Sequence, residues 1–272
     1  KDSKDVKEIK EGDEAILILD KSPFYAESGG QVGDSGCIKT KKGKFYVQDT
    51  IKIKKNVFGH IGVLKSGSLK CNEQVEASID EHRRNDIKRN HSVTHLLHKA
   101  LKIVLGDHVE QKGSLVDNLK TRFDFSHTKP ISKDEIHKIE SIVNNEILTN
   151  KVTSTEMMSI DKAKESGALM LFGEKYDSEV RVLNIGNSIE LCGGTHVSNT
   201  GDIGLFKIYS ETGVASGIRR IEGVTGLNLI KFLNDQEEIL TRVSKDLNTK
   251  ASEIPTKVSS LLSQLKENEK KQ

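Results

Sequence analysis

The sequence predicts an α+β protein in three parts: a small β-barrel over residues 1–80, an α+β core over 81–226 and a C-terminal helical arm over 227–272. Three observations predict it. Short β-type runs alternate with turn residues from Glu14 to about Asp80; apolar and histidine side chains then recur at three- and four-residue steps from Asp80 to Leu105; and leucines recur every seven residues near the end.

The β-type runs are Ala15 to Leu19, Lys44 to Val47, Ile51 to Ile53, Val57 to Leu64 and Val75 to Ile79, with Gly43, Gly59 and Gly67 among them. Runs this short and evenly spaced point to a small barrel or curled sheet. Between Asp80 and Leu105 there is no Gly or Pro, and Ile87, His91, Thr94, His95, His98 and Leu101 share helical spacing, so one long helix is predicted to end at Gly106. Two strand-like runs follow, Ser114 to Val116 and Arg122 to Phe125. Ser132 with Glu135 is a capping box, in which each side chain satisfies a backbone donor of the first turn, and Ile136, Ile139, Ile142, Val143 and Ile147 give that helix its apolar face. Val152 to Met157, Val180 to Ile185, Ile203 to Tyr209 and Ile218 to Glu222 read as strands that do not alternate strictly with helices. In the tail, Leu233, Leu240 and Leu247 form the seven-residue repeat beside Ile230 and Val243. Pro255 interrupts it, and Val258, Leu262 and Leu265 resume it. Such a tail suits either a helix packed on its own domain or an arm leading to another.

Over 272 residues, 42 Lys and Arg stand against 40 Asp and Glu, so any nucleic-acid surface must be a local patch. Arg83, Arg84, Lys88 and Arg89, with Arg219 and Arg220, are the clusters that could meet phosphates, although charge runs more commonly form solvated faces. No run has the length of a membrane helix, and Lys1 to Lys10 alternate charges instead of forming a signal sequence, which makes a cytoplasmic location the default. The opening without methionine reads as a cut inside a longer protein. Cys37, Cys71 and Cys192 are odd in number and far apart, so each is expected to be a free thiol or a ligand.

His91 and His95 lie four apart on the long helix and project from one face. Cys192-Gly193-Gly194-Thr195-His196 repeats that separation with a thiol first, and its glycines permit a tight bend. His82, His98, His108, His127 and His137 have no evident partner, so either pair alone is ordinary. Together, three imidazoles and a thiolate make a donor set suited to Zn2+. A metalloprotease would need a glutamate directly after the first histidine, and Ser92 stands there. The glycine-rich segment Ser22 to Asp34 offers Ser28, Gln31 and Asp34 beside closely approachable backbone, but as a turn of the barrel it needs no ligand, and it is neither a phosphate loop nor a dinucleotide fingerprint.

Taken in order, Ser22 to Asp34, Arg89 to His98, Val109 to Ser114, Arg122 to Phe125, Cys192 to His196 and Gly217 to Glu222 resemble the editing region of the alanyl-tRNA synthetases over roughly residues 12 to 226. The resemblance implies a β-barrel subdomain and an α+β editing core, related to the threonyl-tRNA synthetase editing domain and to freestanding editing proteins. It implies hydrolysis of the ester joining tRNA(Ala) to wrongly attached serine or glycine, with zinc held by His91, His95, Cys192 and His196. Gln111, Thr94 and Gln31 are the candidates for lining the catalytic pocket, against the plainer alternative that each only stabilises a turn or helix. Four protein ligands leave a tetrahedral ion no vacant position, which favours an orienting role over a metal-bound hydroxide. The expected partners are the acceptor end of mischarged tRNA(Ala) and the remaining domains of the parent synthetase, with oligomerisation through the tail. Its ATP-dependent aminoacylation domain would precede Lys1, so no alanine activation is expected here. Gly223 departs from the pattern, which has alanine there. The alternatives are a freestanding-type deacylase, a zinc-stabilised tRNA-binding module without catalysis, and a structural zinc domain serving oligomerisation.

Overall fold

The computed structural model describes residues 5–170 and 177–271; residues 1–4, where the charged opening stretch begins, lie outside it. The first elements are strands β1 (Glu8–Lys10), β2 (Glu14–Ile18), β3 (Gly36–Lys39), β4 (Gly43–Lys54), β5 (Val57–Lys70) and β6 (Glu76–Ile79). They form one antiparallel sheet in the order β1-β5-β4-β3-β6, with β2 also on β5. The two expected runs around Val47 and Ile51 are a single strand, β4, which register shifts bend at Lys44/Phe45, Val47/Asp49 and Lys52/Lys54. The small barrel is not what forms. Among the described residues the ladder ends at β6 on one side and at β1 and β2 on the other. The outer strands are short, and the bulges curl the long β4–β5 ribbon without joining its edges. The curl encloses Phe24, Ile38, Phe45, Val47 and Leu64.

Helix α1 (Glu81–Leu105) begins where Asp80 accepts a bond from the Arg83 amide and stops at Gly106, whose φ of 113° suits glycine. Strands β7 (Gln111–Val116) and β8 (Thr121–Ser126) follow, then α2 (Lys133–Leu148) with its capping box formed by Ser132 and Glu135. Next come β9 (Ser154–Ser159), α3 (Ile160–Glu165), β10 (Glu179–Ile185) and β11 (Ser188–Leu191), the three strands pairing as β11-β10-β9. The last pair, β12 (Phe206–Ala215) and β13 (Ile218–Thr225), completes a second sheet, β12-β13-β8-β7. Leu97, Leu101, Phe123, Phe125, Ile139, Ile147 and Ile221 join α1, α2 and this sheet in the main core.

The chain divides into two units, residues 1–226 and 227–272. The second holds most of α4 (Gly226–Asp246) and all of α5 (Ile254–Lys271), with Pro255 in the first turn of α5, where its missing N–H costs nothing. Ile230, Leu233, Leu240, Leu262 and Leu265 are exposed. No described helix is long and apolar enough to cross a membrane.

Candidate metal centre

Helix α1 is buried on every side between Asn90 and His98, although Asn90, His91, Ser92, Thr94, His95 and His98 are polar. Buried polar groups of this kind need partners, and most have them. The Asn90 amide donates to the Asp117 carbonyl at 2.9 Å and accepts from the Thr225 hydroxyl at 2.7 Å. The Ser92 hydroxyl receives the Val197 amide at 3.1 Å, which pins the loop after β11 onto the helix.

That loop carries Cys192 and His196. Arg181 on β10 shapes it by donating to the carbonyls of Cys192 and Gly194 at 3.2 and 2.6 Å. A Cβ at Gly194 would run into the His91 ring and the Gln31 carboxamide, so only glycine admits this approach. His91, His95, Cys192 and His196 thereby converge, with one donor atom of each within 4.8 Å of the others. Cys192 Sγ lies 3.5 Å from His91 Nε2 and 3.2 Å from His196 Nε2. Bond lengths of a tetrahedral zinc put neighbouring donors about 3.3–3.7 Å apart, so these separations suit one ion.

The ring orientations fit as well. Gln31 Oε1 accepts from His91 Nδ1 at 2.6 Å and from the Thr195 amide at 2.9 Å, while its NH2 donates to the Thr195 hydroxyl at 2.9 Å. Glu190 Oε2 accepts from His95 Nδ1 at 2.7 Å. Both histidines therefore carry hydrogen on Nδ1. His95 Nε2 is buried without a hydrogen-bond partner among the described residues, an orphan that a metal ion would satisfy.

The charges lean the same way. Burial alone would raise the Cys192 thiol, but His95 and His91 outweigh it and hold the thiol well below its ordinary range. Burial, then His91, pushes His196 down to about 3. Burial would lower His95, yet Glu190 and Cys192 carry it up to about 10. Burial would likewise raise Glu190, and His95 instead keeps it ionised, well below the usual carboxylate range.

His91, His95 and Cys192, but not His196, line a cleft of about 760 Å³ together with Phe24, Tyr25, Gln111, Lys102 and Arg181. Burial, aided by Cys192, pushes the Tyr25 phenol up to about 12, so it stays a hydrogen donor, here to the Ser28 carbonyl at 3.0 Å.

Two family models match the chain: "tRNA synthetases class II (A)" over residues 1–83 and "Threonyl and Alanyl tRNA synthetase second additional domain" over residues 180–222. The first span holds Gln31; the second holds Arg181, Glu190, Cys192 and His196. The alanine–tRNA ligase of Nitrosospira multiformis is 54% identical over 98% of the chain, that of Delftia acidovorans 54% over 97%, and that of Methylobacillus flagellatus 54% over 99%. The chain belongs to the alanyl-tRNA synthetase family. It spans 30–31% of the length of these relatives.

Of the pocket candidates expected for this family, Gln111 and Thr94 line the cleft and Gln31 does not. Gln31 is fully buried behind His91, with its oxygen accepting two hydrogen bonds and its NH2 donating one within the fold. The Thr94 hydroxyl donates to the Asn90 carbonyl at 2.8 Å and meets the Thr121 hydroxyl at 2.7 Å. Gln111 alone has a side-chain amide with no bond to another described residue. The arginines suggested for phosphate contact are largely committed within the fold: Arg84 to Asp34, Arg89 to Asp86, Arg219 to Glu211 and Arg220 to Asp124. Sequence reasoning missed Glu190 and Arg181; His98, read as having no evident partner, has its Nδ1 3.7 Å from Glu190 Oε1 and no hydrogen bond to a described residue. The available signal was the strand period, which puts Ser188, Glu190 and Cys192 on one face.

Proposed function

We propose that this chain is the editing part of an alanyl-tRNA synthetase and hydrolyses the ester of tRNA(Ala) wrongly charged with serine or glycine. The observation that carries the reading is a four-donor cluster of which His91, His95 and Cys192 open on a cleft that is also lined by Gln111, whose side-chain amide bonds no other described residue. A cleft of about 760 Å³ matches the roughly 300–1,000 Å³ of small-molecule sites. It suits a terminal adenosine with its amino acid, not the helical acceptor stem.

The residues divide the work. His91, His95, Cys192 and His196 are the zinc ligands in this reading, and Gln31 and Arg181 keep His91 and the cysteine loop in place. Zinc, when bound, supplies fixed positive charge where the aminoacyl group docks. Gln111 is free to hydrogen-bond the serine hydroxyl or the attacking water, and Lys102 stands at the cleft for the negative charge of the terminal nucleotide. The Tyr25 phenol and the Phe24 ring also line the cleft. The partners on this reading are tRNA(Ala) and the rest of the synthetase, whose alanine attachment belongs to protein biosynthesis in the cytoplasm; the exposed leucines of the helical arm serve oligomerisation.

The test is release of serine from serine-charged tRNA(Ala), measured with and without a chelator, beside a tRNA-binding measurement. Release by the wild type that stops on chelation supports the reading. Binding without release would replace it with a zinc-stabilised tRNA-binding module.

A further inference from the structure

Glu190 is a carboxylate in an unusual place. It sits in β11, opposite Leu183 of β10, with a side chain 7% exposed. Burying a charge here costs several kcal/mol unless it is paired and hydrogen-bonded. Both oxygens are occupied: Oε2 by His95 Nδ1 at 2.7 Å, and Oε1 by the Ser188 hydroxyl at 2.7 Å with His98 Nδ1 at 3.7 Å. The Ser188 hydroxyl thus braces the oxygen that does not touch His95, which fixes the rotation of the carboxylate. His98, beyond hydrogen-bond reach of that oxygen at 3.7 Å, lies one turn past His95 on α1 and packs against Phe123 with ring centroids 5.3 Å apart.

The charges complete the argument. Among the four candidate ligands only the Cys192 thiolate is anionic once a metal is bound, since the histidines bind as neutral imidazoles. A dication with one thiolate would leave an unbalanced positive charge in a buried site, and the next buried anion in contact with a ligand is Glu190.

We propose that Glu190 is the positioning residue of the metal centre: its carboxylate holds His95 with hydrogen on Nδ1, leaves Nε2 facing the cluster, and supplies the second negative charge that a buried dication requires. The inference rests on the metal part of the reading above and not on ester hydrolysis. It separates two contributions. Glu190→Gln keeps an oxygen that can accept from His95 but removes the charge, whereas Glu190→Ala removes both.

The experiment is zinc affinity of the purified chain by competition with a chromophoric chelator, with circular dichroism in excess chelator reporting the fold. Loss of such an outer partner typically weakens metal binding about 10–100-fold, and Glu190→Ala is expected in that range, with Glu190→Gln between it and the wild type. The visible spectrum of Co2+ bound in place of zinc reads the ligand geometry, and is expected to shift more for Ala than for Gln. A folded Glu190→Ala with wild-type zinc affinity overturns the inference; a loss for Ala with none for Gln overturns its charge half. Should the alanine variant fail to fold, Glu190→Met, which fills the space and likewise removes both oxygens, takes its place, and a folded Glu190→Met with wild-type zinc affinity overturns the inference; Glu190→Gln tests the charge half alone. No tRNA enters the assay, so absence of zinc from the wild type would instead count against the metal reading itself.

Discussion

His91 and His95 aim Nε2 at the same point because an oxygen takes the Nδ1 hydrogen of each, Gln31 Oε1 for one and Glu190 Oε2 for the other. Removing either oxygen frees a ring to turn. Gln31→Ala also strands the Thr195 amide and hydroxyl in a partly buried loop. Its expected cost is about 1–3 kcal/mol per buried group left unpaired, read as a lower urea midpoint, together with weaker zinc binding in chelator competition. A variant with unchanged midpoint and unchanged zinc affinity would remove Gln31 from the support of His91. The four converging donors were legible in the sequence because both pairs have a four-residue separation, which a helix or a glycine-rich loop turns into a shared direction. Glu190 was not, because its partner His95 is 95 residues away and its one local mark, the alternation with Ser188 and Cys192, falls on a strand of only four residues. Gln31 was noticed for its glycine neighbours, but sequence carries no burial, and burial is what moves it from the cleft wall to a place behind a histidine.

Helix α1 was readable nearly to the residue, since its N-cap Asp80 and terminal Gly106 are strong local signals. Strands β1, β3 and β11 were not, being three or four residues long and defined by the ladders they join. The open edge of the first sheet is a property of pairing that no single strand encodes. Gly223 on β13 gives a test at this scale: an alanine Cβ there would strike the Phe206 ring and lie 3.0 Å from the Lys207 carbonyl. Overpacking of this kind costs roughly 1–3 kcal/mol, so Gly223→Ala is expected to lower the melting temperature, with zinc content unchanged; an equal or higher melting temperature would show that Phe206 moves aside freely. In the first sheet, His60 of β5 is fully buried, bonded to the Leu17 carbonyl at 2.8 Å and the Ser22 hydroxyl at 2.6 Å. Burial lowers its pKa against the opposing bond to Leu17. An unfolded histidine takes up a proton as pH falls through about 6.5, which the folded one resists. Stability is therefore level above that pH and declines below it, toward the lower folded value. Urea midpoints at pH 7.5 and 5.5 should fall less for His60→Gln than for the wild type, and equal slopes would assign the acid sensitivity elsewhere.

At the level of the whole molecule, the formal charge is only +2, and Arg84, Arg219 and Arg220 are bonded to the fold's own carboxylates, so the arginine clusters are not free to make a phosphate patch. On the proposed editing reading, discrimination must then come from the end of the tRNA that enters the cleft, and from one atom of the amino acid. Serine exceeds alanine by a hydroxyl. An apolar wall rejects that difference poorly, whereas a wall that hydrogen-bonds the hydroxyl penalises a ligand lacking it, because its own polar group is left unpaired. Gln111 is the wall residue with an amide free for this, while the Thr94 hydroxyl is already bonded to Asn90 and Thr121. The wild type is expected to release serine from tRNA(Ala) much faster than alanine, by up to about 10⁴-fold where buried polar groups go unpaired. Gln111→Ala should narrow that ratio by slowing serine release, with zinc content unchanged and tRNA binding nearly so. Glycine, which lacks the hydroxyl too, provides the internal control: its release should respond less to Gln111→Ala than that of serine. A proportionate loss for serine and glycine would make Gln111 a residue that holds the water, and equal release of serine and alanine by the wild type would end the editing reading whatever metal the protein holds.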